Sequence, residues 1–319
     1  MTAYIVRRLI LALFVLVMVT LVVFFAMRLL PGDPLVIYIG QSQQLASLSD
    51  EGLAQLRHEF GLDKPVLVQY GNWMSGLLRG DFGKSIVYQQ PVGNLLLKRY
   101  PVTLHLGSLA FVVSTLLGIL AGLLAAVRRG KWGDRIVTPL TYVGVTIPIF
   151  WLGIMMIYLF GLKLGWLPMI GYTSPFSDFW MSTKQAIMPV ICLSVGAMAA
   201  TARQTRSSML EVIRQDYIRT AWSKGLRERV IILKHAMKNS LIPVITVLGL
   251  HLGFIIGGSV IVETVFSIPG IGNLMVNSIF AQDYAVVQSC TLIFAVVIVF
   301  ANLIVDISYG WLDPRIQYR

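Results

Sequence analysis

Charged side chains are scarce in this chain. Of its 319 residues, 13% are Asp, Glu, Lys or Arg, whereas 56% are hydrophobic and the mean hydropathy is +0.74. Soluble domains usually carry about 25% charged residues. This shortage excludes an ordinary soluble domain, and it indicates that most of the polypeptide lies in lipid.

Cysteine is equally rare. Cys192 and Cys290 are the only two cysteines in the sequence, and each lies within an apolar run. Their position and spacing favour small core residues over a disulfide or a pair of metal ligands. The two cysteines therefore carry no information about the redox compartment.

A complete phosphate-binding loop is also missing. The triplet Gly83-Lys84-Ser85 has part of one, but the pattern requires a glycine at the position of Leu78. A phosphate cradle needs a run of free backbone N–H groups at a helix start, so we expect ATP to be hydrolysed by another polypeptide. His251 and Ser259 form no hydrolase dyad, because eight residues of helix separate them by about 12 Å and about 80° of rotation.

Long apolar runs are abundant. Six segments are long enough to cross about 30 Å of hydrocarbon as helices. They are Leu9 to Met27, Val102 to Val127, Ile136 to Leu162, Ala186 to Ala202, Leu241 to Val262 and Tyr284 to Val305. Pro139, Pro148 and Pro243 predict kinks or boundaries in the third and fifth segments. The predicted fold is therefore all-α, with six transmembrane helices in a single membrane domain over residues 1–319.

The basic residues predict the topology. The net charge is +11, but Lys and Arg lie in short loops beside the spans and form no continuous face, which argues against nucleic acid as a partner. The bias in the short loops places both termini in the cytosol. The first span begins with Arg7-Arg8 like a signal peptide, but its apolar run is too long and lacks a cleavage site, so we expect it to be retained.

Segment 30–100 is the only sizeable part predicted on the extracytosolic side, and it has helical signals of its own. Ser49 can cap a helix that ends at Gly61. The apolar face of this helix would consist of Leu53, Leu56 and Phe60. A second helical stripe follows at Tyr70, Trp73, Met74 and Leu77. These stripes predict two helices packed on the membrane rim.

Segment 203–240 lies between two spans and is both basic and helical, which is typical of a docking loop. A helical run from Ser207 to Lys224 can end at Gly225. Glycine lacks a Cβ and tolerates the left-handed conformation of a helix C-terminus. A second helix can begin within Leu226 to Val230 and lead back to the membrane.

In this segment the sequence resembles the membrane permeases of ATP-binding-cassette (ABC) importers, whose cytosolic signature is E-A-A-x-x-x-G followed by an apolar residue and proline. It has Arg219-Thr220-Ala221, then Gly225, then Leu241-Ile242-Pro243. Arginine at the first position is typical of the dipeptide, oligopeptide and nickel branch. Further matches span nearly the whole chain. They are Pro31 to Pro34, Gly61 to Pro65, Gly80 to Gly83, Glu263 to Gly272, Asp283-Tyr284 and Asp313 to Ile316.

The resemblance implies a type I importer permease fold in a bacterial or archaeal plasma membrane. It also implies three kinds of partner: a second homologous permease subunit, two cassette ATPase subunits and an extracytosolic substrate-binding protein. ATP and Mg would bind the ATPases, with no cofactor in this chain. The residues implied in coupling to the ATPases are Asp216, Tyr217, Arg219, Thr220, Ala221, Lys224 and Gly225. Those implied in docking the binding protein are Gly61, Asp63, Trp73 and Asp81, although their helices could simply pack on the rim.

The fifth span carries a repeat of small residues at Gly249, Gly253 and Gly257, which predicts a face where another helix approaches closely. His251 points away from that face. A histidine in a span usually meets a polar partner or a cavity, so His251 either packs with its polar atoms satisfied or lines the translocation path. Glu263 lies near a helix end, where an interfacial carboxylate and a residue of the translocation path are the two alternatives.

The resemblance favours dipeptides or short oligopeptides as cargo, with chelated nickel or glutathione as alternatives. Gly249 to Gly253 has the pattern G-x-H-x-G of the nickel branch, and imidazole is a good nickel ligand. Hydropathy alone would also allow a channel or a secondary transporter. The spans contain no run of carboxylates for ion coupling and no evident inverted repeat, which disfavours that class.

Overall fold

The computed structural model describes residues 2–29, 35 and 50–312. Within these ranges the chain is almost entirely helical, as predicted. The helices of the N-terminal part are α1 (Thr2–Leu29), α2 (Asp50–Glu59), α3 (Val66–Leu78), α4 (Val92–Val127), α5 (Trp132–Thr146) and α6 (Ile149–Lys163). Those that follow are α7 (Phe179–Val212), α8 (Asp216–Ser223), α9 (Glu228–Val265), α10 (Ile271–Phe280) and α11 (Tyr284–Leu312).

Five of these helices are long and apolar enough to cross a membrane, namely α1, α4, α7, α9 and α11. Helices α5 and α6 meet the same criterion only as a pair, and they are bent by 103° relative to each other. The predicted third span, Ile136 to Leu162, is therefore not one straight helix. The described chain has up to six spans when this pair is counted as one.

The break lies at Ile147-Pro148. Proline disfavours a helical conformation in the residue before it, and Ile147 is extended with ψ of 123°. The predicted boundary at Pro148 is thus confirmed. Pro139 and Pro243 lie inside α5 and α9, so the helix continues through both.

The chain divides into two compact units. The first comprises residues 1–6, 104–268 and 298–319, and the second comprises residues 7–103 and 269–297. In the first unit α7 lies at the centre and packs against α5, α6 and α9. Cys192 is buried in α7, as expected of a small core residue.

Two glycines of α4 let it approach α7 closely. A Cβ placed on Gly118 would lie 2.7 Å from Thr201 Cβ, and one on Gly122 would lie 2.6 Å from Thr205 Cβ. Both distances are shorter than van der Waals contact, so only glycine fits at these positions. Lipid supplies no hydrophobic drive between helices, and close approach is what gives such a pair its packing energy.

An ion pair joins α5 to the end of α7. Arg206 donates two hydrogen bonds to the Asp134 carboxylate, from Nε at 2.6 Å and from Nη2 at 2.9 Å. Asp134 also accepts from the Gly130 backbone N–H and from Thr138 Oγ1, each at 2.9 Å. The Asp134 side chain is 11% exposed, and these four bonds satisfy the carboxylate in that partly buried position.

In the second unit, Tyr70 and Trp73 of α3 pack against α1. These two residues belong to the helical stripe that was predicted to pack on the membrane rim. The Phe24 ring lies 5.1 Å from the Tyr70 ring and 5.8 Å from the Trp73 ring. Tyr70 Oη and Thr20 Oγ1 are 3.0 Å apart and hydrogen-bonded. Helix α2 ends at Glu59, close to the predicted end at Gly61, and Gly61 itself has a φ of +64°. The predicted cap Ser49 lies outside the described residues.

A buried polar contact fixes the entry to α11. Ser85 Oγ donates to Asp283 Oδ2 at 2.5 Å, and the Val87 backbone N–H donates to the same oxygen at 3.2 Å. Burial raises the pKa of Asp283 above its ordinary value, although these bonds oppose the rise. Ser85 of the partial phosphate-loop pattern therefore has a structural role.

We expect Gly122→Val to destabilise the chain and Gly257→Val to leave its stability unchanged. A Cβ on Gly122 would collide with α7, whereas a Cβ on the exposed Gly257 would meet no atom within 4 Å. Overpacking typically costs about 1–3 kcal/mol. Thermal denaturation of the purified subunit in detergent measures the difference. Equal denaturation temperatures for the two variants would show that the α4–α7 approach is looser than described.

Candidate functional site

The candidate coupling site is built around α8, which is separated from α7 by a short turn. The predicted single helix from Ser207 to Lys224 is wrong, because α7 ends at Val212 and α8 begins at Asp216. Met209 and Ile218 explain the break. Nine residues of continuous helix would place them about 180° apart, whereas the turn lets both be buried in one apolar cluster.

This cluster, which we call the α8 anchor, holds α8 against the neighbouring helices. Ile218 and Ala221 are the two buried residues of α8. The α8 anchor consists of Ala126, Met209, Ile218, Ala221, Ile231 and Ala236. Ala221, one of the residues implied in coupling, is 7% exposed and packs within this cluster of the chain's own helices.

Gly225 ends α8 as predicted. Its φ is +73°, and the Gly225 N–H donates to Trp222 O at 2.9 Å. The Leu226 N–H donates to Ala221 O at 3.4 Å. This pair of bonds is the Schellman motif, which satisfies the last carbonyl groups of a helix. Helix α9 begins at Glu228, within the predicted interval.

The other predicted coupling residues lie on the outer face of α8. They are Asp216, Tyr217, Arg219, Thr220 and Lys224, all of them exposed. Arg219 Nη1 donates to Asp216 Oδ1 at 3.2 Å, with side chains 75% and 95% exposed. Such a pair contributes little to stability. Both residues therefore remain available to a partner.

The sequence reasoning missed Trp222. Its side chain is 46% exposed, and it lines a cavity of about 320 Å³ beside the α8 anchor together with Ile213, Glu228 and Ile232. The available signal was its spacing, because Trp222 follows the apolar Ile218 by four residues and so lies on nearly the same face of the helix. A cavity next to an exposed aromatic side chain is a common receptor for an inserted partner residue.

His251 is buried in the first unit. Its Nδ1 lies 3.2 Å from Thr201 Oγ1 of α7, and its exposure is 7%. Of the two alternatives, this contact supports satisfied packing. Glu263 has no exposed surface, so the interfacial alternative for Glu263 is wrong. In the described part of the chain, no three His, Cys, Asp or Glu side chains are grouped closely enough to hold a metal ion.

The predicted glycine face of α9 does not receive a helix at close range within the first unit. A Cβ on Gly253 would lie 4.0 Å from Ile298 Cγ2, and one on Gly257 would meet no atom within 4 Å. Gly249 is buried. The tighter contact is at the neighbouring Gly258, where a Cβ would lie 3.3 Å from Ile149 Cδ1. The spacing of glycines in the sequence could not show whether Gly257 or Gly258 faces the neighbouring helix.

Of the four predicted docking residues, Gly61, Asp63 and Asp81 lie in the segments that follow α2 and α3, and Trp73 lies where α3 packs on α1. Gly61 and Asp63 follow α2, and His58 Nδ1 donates to Asp63 Oδ2 at 2.7 Å. This bond holds the pKa of Asp63 below its ordinary value. Asp81 Oδ1 accepts from the Gly83 N–H at 2.9 Å. Trp73 stacks on the first span, as described above.

Comparison with known proteins identifies the family. The family model for the binding-protein-dependent transport system inner membrane component matches residues 118–318. A model for the N-terminal part of such membrane components matches residues 1–107. The chain belongs to this family.

The permease has full-length relatives. A putative peptide transport system permease protein of Brucella abortus is 41% identical over 321 residues, with both chains fully covered. The dipeptide transport system permease protein DppB of Alkalihalophilus pseudofirmus is 39% identical over 338 residues, and the glutathione transport system permease protein GsiC of Salmonella typhi is 37% identical over 319 residues. Both alignments also cover the whole of each chain.

A solved structure supports the fold. The inward-facing MetNI methionine ABC transporter matches with a TM-score of 0.56 and 21% identity, covering 69% of this chain and 96% of that chain. The family match and the full-length relatives confirm the predicted resemblance to ABC importer permeases. The permease is a multi-pass inner-membrane subunit of such an importer, and ATP hydrolysis takes place in separate subunits. Membership of the family also implies an ATPase partner and a substrate-binding protein.

We expect Gly225→Val to uncouple transport while Gly225→Asn largely preserves it. A Cβ at this position would meet nothing within 4 Å, so the cost is conformational. A β-branched residue at positive φ costs about 1–3 kcal/mol, whereas asparagine tolerates this region. The measurement is ATP-driven uptake by the reconstituted importer, with copurification of the ATPases as a second readout. Normal uptake and normal copurification of the valine variant would remove Gly225 from the coupling site.

Proposed function

We propose that this permease forms half of the pore of an importer for dipeptides or short oligopeptides. The observation that carries the proposal is the full-length similarity to permeases described as peptide and dipeptide transport proteins, at 41% and 39% identity. In this arrangement a second, homologous permease completes the pore. Two cassette ATPases bind on the cytosolic side, and an external binding protein delivers the cargo.

The outer face of α8 is the proposed contact with the ATPase. Its exposed residues include Tyr217 and Trp222, and Tyr217 Oη accepts a hydrogen bond from Asn239 Nδ2 of α9 at 2.8 Å. Closure of the ATPases on ATP would move α8, and the α8 anchor would transmit this motion to α7 and α9. Coupling of this kind depends on contacts that differ between the inward-open and outward-open states.

The direct test is uptake of a labelled dipeptide into proteoliposomes that contain the whole importer, with its own binding protein outside. Uptake should require ATP inside and should be inhibited by unlabelled dipeptide. Glutathione is a named alternative because a glutathione permease is 37% identical. Strong inhibition by glutathione, together with a failure of dipeptides to inhibit, would replace peptides with glutathione as the cargo.

The proposed topology places the α8 region in the cytosol and α3 outside. We expect a cysteine introduced at Ser223 to resist an impermeant thiol reagent in intact cells, and one at Ser75 to react. Ser223 and Ser75 are both exposed, and the native Cys192 and Cys290 are buried and add little background. Permeabilised cells provide the control, because both positions should then react. If only the cysteine at position 223 were labelled in intact cells, the orientation in the membrane would be opposite to the one proposed.

His251 distinguishes peptide transport from nickel transport. For a peptide importer, we expect His251→Ala to reduce uptake by less than about tenfold, the scale of one interaction of about 1.4 kcal/mol. Thr201→Val is the matched variant, because it removes the 3.2 Å contact and keeps the imidazole. In a packing role, the two variants should have similarly small effects on labelled dipeptide uptake. A parent that transports nickel but no peptide, with nickel uptake lost in His251→Ala alone, would support the nickel alternative.

A further inference from the structure

A second cavity lies in the second unit. It has a volume of about 270 Å³, and its walls come from the end of α1, the α2–α3 region and the start of α11. Its aromatic lining residues are Phe60, Trp73, Phe82 and Tyr284. The volume is close to the lower end of the range for small-molecule sites, about 300 Å³.

Arg28 is held rigidly at this cavity. Its Nε and Nη2 donate to Gln69 Oε1 at 3.1 and 2.7 Å, and its Nη1 donates to Phe24 O at 3.2 Å. The guanidinium carbon lies 3.4 Å from the centre of the Phe24 ring. A guanidinium has five N–H donors, so these three bonds orient the group and leave donor capacity for an occupant.

Two further donors of the lining are buried without an acceptor among the described residues. They are Trp73 Nε1 and Gln288 Nε2, and both side chains line the cavity. Gln288 is 2% exposed. A buried N–H without a partner is costly, so such groups usually have an acceptor supplied by a ligand or by water. The lining is therefore prepared for a group that accepts several hydrogen bonds.

The charges of the lining give the sign of that group. Arg28 and Lys84 are cationic, and Glu59 is the one carboxylate among the lining residues of this cavity. Lys84 Nζ and Glu59 Oε1 form a pair 2.9 Å apart, with side chains 45% and 53% exposed. Arg28 thus leaves a net positive charge beside the unpaired donors. A carboxylate supplies the complementary charge and about four acceptor positions.

We propose that this cavity is a carboxylate-binding site for a small zwitterion, such as a free amino acid or a dipeptide. Its carboxylate would accept from Arg28, Trp73 and Gln288, and its ammonium group would lie on the Glu59 side. The site is additional to the proposed pore, and its occupancy does not require that the bound molecule be transported.

The test is calorimetric binding of alanylalanine to the full-length permease in phosphatidylcholine nanodiscs. We expect the C-terminal amide of the dipeptide to bind at least tenfold more weakly, because it lacks the carboxylate. Gln288→Leu and Arg28→Gln should each weaken alanylalanine binding by about tenfold or more. Arg79→Gln is the matched control, since Arg79 is exposed after α3 and is not part of the lining.

Thermal denaturation separates lost binding from lost folding. Gln288→Leu replaces a side chain whose buried Nε2 has no acceptor among the described residues with an apolar group of similar shape, so its denaturation temperature without ligand should be close to that of the parent. Equal binding of dipeptide and amide, or unchanged binding in both cavity variants, would overturn the proposal. So would loss of alanylalanine binding to the parent permease when phosphatidylglycerol replaces phosphatidylcholine in the nanodiscs, because an anionic lipid would then occupy the cavity. A failure of dipeptide uptake, by contrast, would overturn only the proposed transport function.

Discussion

Apolar burial at the α8 anchor is the interaction on which the candidate coupling site depends. Helix α8 has eight residues, and an isolated helix of that length is unstable in water. Burial of Ile218 and Ala221 stabilises it, and the same burial connects it to α7 and α9. The exposed residues of α8 contribute little to this burial, so they are available for the proposed contact with the ATPase.

A different physical rule governs the membrane helices. Lipid tails are as apolar as leucine side chains, so helices in lipid associate through close contact and polar partners. Gly118 and Gly122 permit the close contact, and the Asp134–Arg206 pair supplies a polar interaction. The three features all lie on helices that pack against α7. In the proposed mechanism, α7 would carry a displacement at its end to the helices packed against it.

Local signals in the sequence predicted much of this architecture. The apolar runs predicted the spans, Pro148 predicted the break, and Gly61 and Gly225 predicted helix ends, because each depends only on nearby residues. Contacts between distant segments could not be predicted in the same way. The burial of Ala221, the use of Gly258 in place of Gly257, and the Ser85–Asp283 bond all depend on which helix faces which. Trp222 was not predicted because it lies between two positions of the family signature, Ala221 and Gly225, and is not itself one of them.

The bend at Ile147-Pro148 has a consequence for the surroundings of the α5–α6 corner. A helix that stops inside a bilayer leaves the last carbonyl groups of α5 and the first N–H groups of α6 outside a regular ladder, and proline removes one donor altogether. Hydrocarbon cannot solvate such groups, so interrupted helices are tolerated only against protein or water. At membrane depth the α5–α6 corner would have to face protein or water, so we expect it to be shielded from lipid acyl chains in the assembled importer. The interrupted backbone ladder at Ile147-Pro148 thus indicates which side of the chain faces away from lipid.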